Sequence, residues 1–553
     1  MDKRTLDLYE AKAAEFAQLY RTVTPTDLYR QLLAFFHPEE LTADIGGGSG
    51  RDAAWLADQG FPTTGYDASP AMLEQARAAY GKVDFQQAAL PDLAEIPDGA
   101  FKNVLCSGTF MHIGREHLIT AVINLARIMR QGGRLVVSYR ESQGETEREA
   151  DGRLFTPIPA GKLALLFEAA GLEVVRTMQQ PDTFRPGIGW VVILAEKSPA
   201  QSARGLERVQ SVLAQDKKDA TYKFALIRAL CQISRTQPHV VVWGAGEVYV
   251  PLSAVAVLWL EYYWPFLTHP EYVAQKRGER PGSEKQITFR RMVERLSETY
   301  TPGGLHALLQ DIEEGPERFR QPLKKIRDAI KDGPIRHAGT HSRVFDYRGI
   351  VARGRDDLFG GRFGWMAVPE SIWLDISRFN HWIEDSLILR WAQLTAEVNP
   401  GSTAADYIPL LLKTVTDERE TAEVRGLLTS LGTPLQCVWS GEELKRDFQV
   451  DHLIPYSVWG NNHWWNLLPA GAQVNRAKLD ALPTRRLLLK RREPIVEYWR
   501  IYRRHRPASF ERQMSHALGV AAGAGNWEGL AFAGLQEAVE RVAATRGLKR
   551  WEL

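Results

Sequence analysis

A chain of 553 residues is longer than one hydrophobic core supports, and 44% hydrophobic with 25% charged residues is the balance of a soluble globular protein. That balance argues against a disordered, fibrous or membrane-spanning chain, and three well-separated cysteines (Cys106, Cys231, Cys437) give no disulfide framework. The net charge of +2 hides an asymmetry, because residues 1–198 hold 20 basic against 26 acidic residues whereas 445–506 hold 13 against 5.

The first residues lack the apolar core of a secretion signal, which fits a cytoplasmic setting. Residues 1–40 are patterned as amphipathic helix, with Leu8, Ala11, Phe16, Leu19 and Tyr20 on or near one face. A strand end, a glycine loop and a helix start follow in Asp44-Ile-Gly46-Gly47-Gly48-Ser-Gly50-Arg-Asp. Glycines let the backbone come close to a ligand, and the helix start offers free N–H groups. A second strand over 62–66 ends in Asp67, an acid placed to accept both hydroxyls of a ribose.

Asp-x-Gly-x-Gly-x-Gly with Tyr66-Asp67 resembles class I S-adenosyl-L-methionine (SAM)-dependent methyltransferases over about residues 5–198. Strands expected over 101–107, after Gln131-Gly-Gly, and as a closing antiparallel pair at 174–177 and 189–196 agree with it. The resemblance implies a SAM site in which Asp44, Gly46, Gly48 and Gly50 line the methionine end and Asp67 holds the ribose. Two positions depart from the family pattern. Gln86-Gln87-Ala88-Ala89-Leu90-Pro91 has no acid beside the adenine, and Asn103 stands where an acid is common. Ser107-Gly-Thr-Phe-Met-His112-Ile lacks the Pro-containing loop of DNA base methylases and is similar to that of small-molecule methyltransferases. His112 and Tyr139 are candidate acceptor contacts or packed core residues.

Residues from 198 to 205 read as a linker and 206–235 as helix. The most apolar run, 248–260, is too short to span a bilayer, ends at Glu261, and reads as a buried helix. Residues 248–330 continue as helices broken at Pro251, Pro265, Pro281 and Pro302. Strands are expected over 341–351 and 362–368, then a long helix over 373–398 whose Glu384-Asp385 pair reads as a solvated face rather than a second metal site. Helices over 510–518 and 527–546 close the chain.

The remaining motif is Asp451-His452-Leu-Ile-Pro-Tyr-Ser-Val-Trp-Gly-Asn-Asn-His-Trp-Trp-Asn466-Leu-Leu-Pro, then Asn475-Arg-Ala-Lys478. It reads as strand, loop, strand and helix. Asp451 and Asn475 offer hard oxygens suited to Mg2+ or Mn2+, and His452 a base for water. The spacing resembles an HNH (ββα-metal) endonuclease, most like that of RNA-guided CRISPR nucleases and related free-standing HNH proteins. The resemblance implies His452 as general base, Asp451 and Asn475 as metal ligands, and Asn466 as a loop brace. Cys437 has Ser440 where a zinc-binding partner would stand, so a structural zinc is not expected. The surrounding basic residues suit a phosphate backbone.

The expected fold class is an α/β Rossmann-like methyltransferase domain plus a mainly helical domain carrying a ββα-metal HNH nuclease module. The expected divisions are 1–198, a helical scaffold over 199–430, the HNH module over 431–500, and C-terminal helices over 501–553. Expected partners are nucleic acid, DNA in the first instance, and a small or unidentified methyl acceptor; no membrane is expected. Two other readings stay open: a SAM-binding sensor controlling the nuclease, and a methyltransferase carrying a non-cleaving nucleic-acid binder.

Overall fold

The structure, a computed structural model, describes residues 2–140, 148–182, 189–197, 220–244, 246–300, 304–338, 344–351, 358–359, 361–412, 421–432, 434–444, 448–460, 462–521, 523–546 and 548–553. The expected linker and the start of the helix over 206–235 lie outside these residues. The chain divides into two compact units, Met1–Ser202 with Glu540–Arg546, and Ala203–Val539 with Gly547–Leu553.

The first unit is built on a seven-stranded sheet in the order β3-β2-β1-β4-β5-β7-β6. Its strands are β1 Thr42–Ile45, β2 Thr63–Asp67, β3 Asp84–Gln87, β4 Phe101–Ser107, β5 Met129–Arg140, β6 Leu172–Pro181 and β7 Gly189–Lys197. The strands β3 to β5 are parallel, and β7 is antiparallel to both β5 and β6. Strand order reverses on either side of β1, which opens a crevice at the carboxyl ends of β1 and β4. The strands β1 and β4 are buried almost throughout rather than in alternation, as in a sheet covered on both faces. The N-terminal segment forms helices Lys3–Ala11, Ala13–Arg21 and Thr26–Phe35. The first is pinned by Thr5, whose hydroxyl accepts the Leu154 N–H at 2.9 Å, and by Asp2, which pairs with Arg148 at 2.8 Å. Asn103, in the position where the family commonly has an acid, is fully buried and accepts from His37 N while donating to His37 O.

The second unit holds a helical core and a four-stranded sheet in the order β10-β11-β9-β8, formed by β8 Val242–Trp243, β9 Glu247–Pro251, β10 Asp346–Arg348 and β11 Trp365–Pro369. The apolar run 248–260 is therefore not one helix. It starts in β9, where Val248 and Val250 are buried and alternate with more exposed neighbours, and turns at Pro251 into helix Leu252–Leu267. Pro265 falls in the last turn of that helix and does not break it. The long helix Glu370–Val398 contradicts the expected solvated face at Glu384. Its carboxylate is buried and paired with Arg228 at 3.3 Å and Arg235 at 2.9 Å, because two guanidiniums on helix Tyr222–Thr236 turn the same way. Those charges lower the Glu384 pKa against the opposing effect of burial. No helix among the described residues is long and apolar enough to cross a membrane.

Candidate active sites

The ββα element lies in the second unit. Strand β14 Gln449–His452 pairs antiparallel with β15 Leu467–Ala470, and helix Ala472–Lys478 follows directly. (β12 Leu435–Gln436 and β13 Glu443–Leu444 form a separate short ribbon before them.) Alternation along a strand puts Gln449 and Asp451 on one face, and helical spacing puts Asn475 and Lys478 on one face. The two faces meet as two rungs. Asn475 Nδ2 donates to Gln449 Oε1 at 2.8 Å, and Lys478 Nζ lies 3.1 and 3.2 Å from the carboxylate oxygens of Asp451. Lys478 also donates to the His452 carbonyl at 2.6 Å, while Trp439 Nε1 donates to Asp451 Oδ2 at 2.8 Å.

His452 turns to the loop between the strands. Its Nε2 lies 2.9 Å from Asn462 Oδ1, and its ring centroid 5.3 Å from that of Tyr456. An amide oxygen only accepts, so Nε2 carries the hydrogen and the lone pair of the neutral ring is on Nδ1. Asn466 is fully buried; its Oδ1 accepts from Ile454 N at 2.8 Å and its Nδ2 donates to Ile454 O at 3.0 Å, closing the loop on itself. The buried Cys437 sulfur accepts the backbone N–H of Ser440 and of Gly471, each at 3.4 Å, and so ties the preceding turn to the start of the helix.

Four residues enter this site that were not singled out as site residues: Gln449, Trp439, Asn462 and Lys478. Lys478 and Gln449 carry a readable signal, one as the Lys of Asn-x-x-Lys and the other two positions before Asp451. Trp439 and Asn462 carry none, since each arrives through an irregular connection.

Whether these residues fit a divalent cation is answered by the ammonium of Lys478. It is 1% exposed and bridges both oxygens of Asp451, so the carboxylate already faces a compact positive charge. Asn475 donates with its nitrogen to Gln449, which leaves its amide oxygen as the donor for a metal. One carboxylate and one amide oxygen suit a hard ion that keeps several waters. Among the described residues no group of three or more His, Cys, Asp or Glu side chains is placed to hold a metal.

The second candidate site is a cavity of about 650 Å³ along the carboxyl edge of the seven-stranded sheet. At its β1–β2 side the loop after β1 takes positive φ at Gly46 (75°) and Gly48 (51°), both lining the cavity with Asp67. A Cβ on Gly46 would lie 2.2 Å from Thr109 Oγ1, so the loop closes against β4 only with glycine there. Asp67 accepts from Gly48 N and Ser69 N, each at 2.8 Å, and thereby fixes the loop it shares the cavity with. Burial raises its pKa.

Asp44 and Gly50 are placed differently from the other three. Asp44 lies beneath the loop, 1% exposed, and a Cβ on Gly47 would stand 2.8 Å from its Oδ2. That oxygen has no hydrogen-bond partner among the described residues, and burial followed by the Asp52 charge pushes its pKa well up. Gly50 does not line the cavity; a Cβ there would meet Phe85 at 2.7 Å and Ala76 at 2.9 Å, so it lets the helix Arg51–Asp58 approach that packing layer. Asp44, like Gly50, does not line the cavity; the glycine cradle and the half-buried carboxylate at the end of β2 are what fit the amino-acid and ribose ends of SAM.

Family models match the segments that carry both sites. Residues 43–137 match the methyltransferase domain family, 437–484 the HNH endonuclease family, and 202–411 a domain of unknown function (DUF8808). Among solved structures, the chain is similar to one of the complex of the Haloferax volcanii Trm112 methyltransferase activator with a methyltransferase, at 18% identity and TM-score 0.32 over 34% of this chain and 97% of that one. It is also similar to the Burkholderia thailandensis 1,6-didemethyltoxoflavin-N1-methyltransferase, at 21% identity and TM-score 0.30 over 35% and 88%. A TehB-like SAM-dependent methyltransferase from Corynebacterium glutamicum gives 19%, 0.26, 34% and 97%. No curated protein matches. The chain is a fusion of a methyltransferase domain with an HNH endonuclease domain.

Proposed function

We propose that the chain is a metal-dependent endonuclease hydrolysing phosphodiester bonds of nucleic acid, DNA in the first instance, joined to a domain that binds SAM. The observation that carries this reading is the pair of rungs that sets Asp451 and Asn475 on facing elements, next to a histidine whose tautomer is fixed by Asn462. Asp451 and the Asn475 amide oxygen would hold Mg2+ or Mn2+, which supplies charge neutralisation at the phosphate and the departing oxygen. His452 takes a proton from water at Nδ1, while Nε2–H stays on Asn462 and keeps the ring from turning. Asn466 keeps the loop bearing Asn462 closed, and Lys478 holds Asp451 against its strand. Defence against foreign DNA in the cytoplasm is a role that such a fusion would suit.

In the first unit, Gly46 and Gly48 let the backbone approach SAM and Asp67 accepts from its ribose. A sensor role for this domain, SAM occupancy setting nuclease activity, is the second reading. Duplex DNA is a poor methyl acceptor here, since residues 1–198 are net acidic. Purified protein given plasmid and single-stranded substrates, with magnesium or manganese and with or without SAM, tests the proposal. Metal-dependent cutting is expected, with no labelled methyl entering duplex DNA. Absence of cutting under every metal condition would refute the nuclease assignment. SAM-dependent protection of the DNA would restore a restriction–modification role.

A further inference from the structure

The glycine loop and Asp67 account for the part of the cavity over β1 and β2; the part over β4, β5 and β7 is lined by different chemistry. Its roof is Tyr9 and Tyr20, from the two N-terminal helices, with Arg153 and Phe155 from the segment before Ala160–Ala169. His112 and Arg140 complete it from the ends of β4 and β5.

Hydrogen bonds in this part are assigned by elimination. The Leu154 carbonyl only accepts, so His112 donates to it from Nδ1 at 2.7 Å, and His112 Nε2 accepts from the Tyr9 hydroxyl at 3.2 Å. The Tyr9 hydrogen is therefore committed, and Tyr9 Oη lies 3.2 Å from Tyr20 Oη. Arg153 uses Nε and Nη2 on Asp151, each at 2.8 Å. Among the described residues its Nη1 has only stretched contacts, 3.4 Å to each tyrosine oxygen, at the long limit for such a bond. Arg140 pairs through Nη2 with Glu149 at 3.1 Å, while its buried Nε has no hydrogen-bond partner among the described residues. Both guanidiniums lie beside one ring, 5.5 and 4.9 Å from the Phe155 centroid. On the β7 side the cavity carboxylate Asp182 accepts from Trp190 Nε1 at 2.9 Å.

Arg153 thus keeps a weakly engaged N–H group on an aromatic wall that the Arg140 guanidinium also flanks. A guanidinium donor with spare N–H groups favours an anion, and a wall of Phe, Tyr and Trp faces favours a flat ring over a flexible chain. We propose that this part of the cavity is a binding subsite for a small aromatic anion, a ring bearing a carboxylate or an equivalent acidic oxygen group, which is the methyl acceptor of the first unit. Arg153 Nη1 binds the acid group, the Arg140 guanidinium adds its charge beside it, and Tyr20 and Phe155 flank the ring. Its place as acceptor rests on the reading of the glycine loop as the SAM site, whereas the anion preference does not.

The full chain, loaded with S-adenosylhomocysteine, separates the two in calorimetry with 4-hydroxybenzoate and with tyramine, phenols of similar size and opposite charge. Binding of 4-hydroxybenzoate but not tyramine is expected, weakened at least tenfold by Arg153→Met and by Arg140→Met. Affinity for S-adenosylhomocysteine should stay within twofold in both variants, which also reports that they fold. Tyramine bound as well as 4-hydroxybenzoate, or neither bound, would overturn the subsite. An Arg153→Met chain that instead loses S-adenosylhomocysteine would reassign Arg153 to the methionine carboxylate and overturn it too. If wild type binds 4-hydroxybenzoate but no S-adenosylhomocysteine, the subsite stands as an anion site and its place as methyl acceptor falls with the SAM reading.

Discussion

Lys478 Nζ and the Asp451 carboxylate form a buried ion pair at 3.1 and 3.2 Å, with Lys478 1% and Asp451 6% exposed. The ammonium does for the carboxylate what a divalent ion would do, and a bound ion would compete with it for that charge. Lys478→Met removes the compensation and leaves a buried carboxylate with Trp439 as its named donor. Breaking a buried pair costs about 3–5 kcal/mol, and the indole donor puts this case near 3. Expected in a calorimetric scan is a lowered unfolding temperature that millimolar magnesium restores more in the variant than in wild type. An equal magnesium shift in both would place the ion elsewhere.

Asn462 meets His452 Nε2 at 2.9 Å and so decides which ring nitrogen holds the lone pair. Asn462→Ala frees the ring without touching the basic residues of 445–506. Supporting partners of this kind are worth roughly ten- to a hundredfold in activity. The cleavage rate of Asn462→Ala at saturating metal should fall by that factor with nucleic-acid affinity unchanged. A parallel loss of affinity would show instead that Asn462 shapes the binding surface.

Legibility in the sequence followed locality. The ββα element was readable because its rungs join residues two apart on a strand and three apart on a helix, periodicities that the chain displays directly. Gly46, Gly48 and Asp67 were readable because strand, loop and helix follow one another. Gly50 looks like the other loop glycines, and only tertiary packing against Phe85 separates it from them. The run 248–260 misled because a buried strand and a buried helix are equally apolar, and Pro251 marks a switch between them rather than an interruption. Glu384 misled because a charged pair on a long helix looks solvated until the two arginines of another helix are placed beside it.

Asp67 accepts two backbone N–H groups as well as facing the cavity. Asp67→Ala should weaken SAM binding by about 1.5–3 kcal/mol, roughly ten- to a hundredfold, measured by calorimetry. Unchanged affinity would remove Asp67 from the site while leaving the cofactor assignment intact.

His112 is 2% exposed, and burial pushes its pKa down to about 4. In the unfolded chain the group titrates near ~6.5. Between these values the unfolded state binds a proton that the folded state refuses, so stability is full above about pH 6.5 and falls as pH drops toward 4. The loss amounts to about 3 kcal/mol in the unfolding transition that S-adenosylhomocysteine shifts. In His112→Gln the stability of that transition should vary less steeply with pH over this window; an unchanged slope would mean that other groups set it.

The central claim is that His452 is the base of a nuclease whose affinity for nucleic acid comes from other residues. The most direct measurement compares wild type and His452→Ala for plasmid cleavage in magnesium, alongside binding of the same DNA in calcium. The predicted result is a loss of cleavage of at least ~10²-fold with binding largely retained. A folded His452→Ala protein that cleaves at the wild-type rate would contradict it.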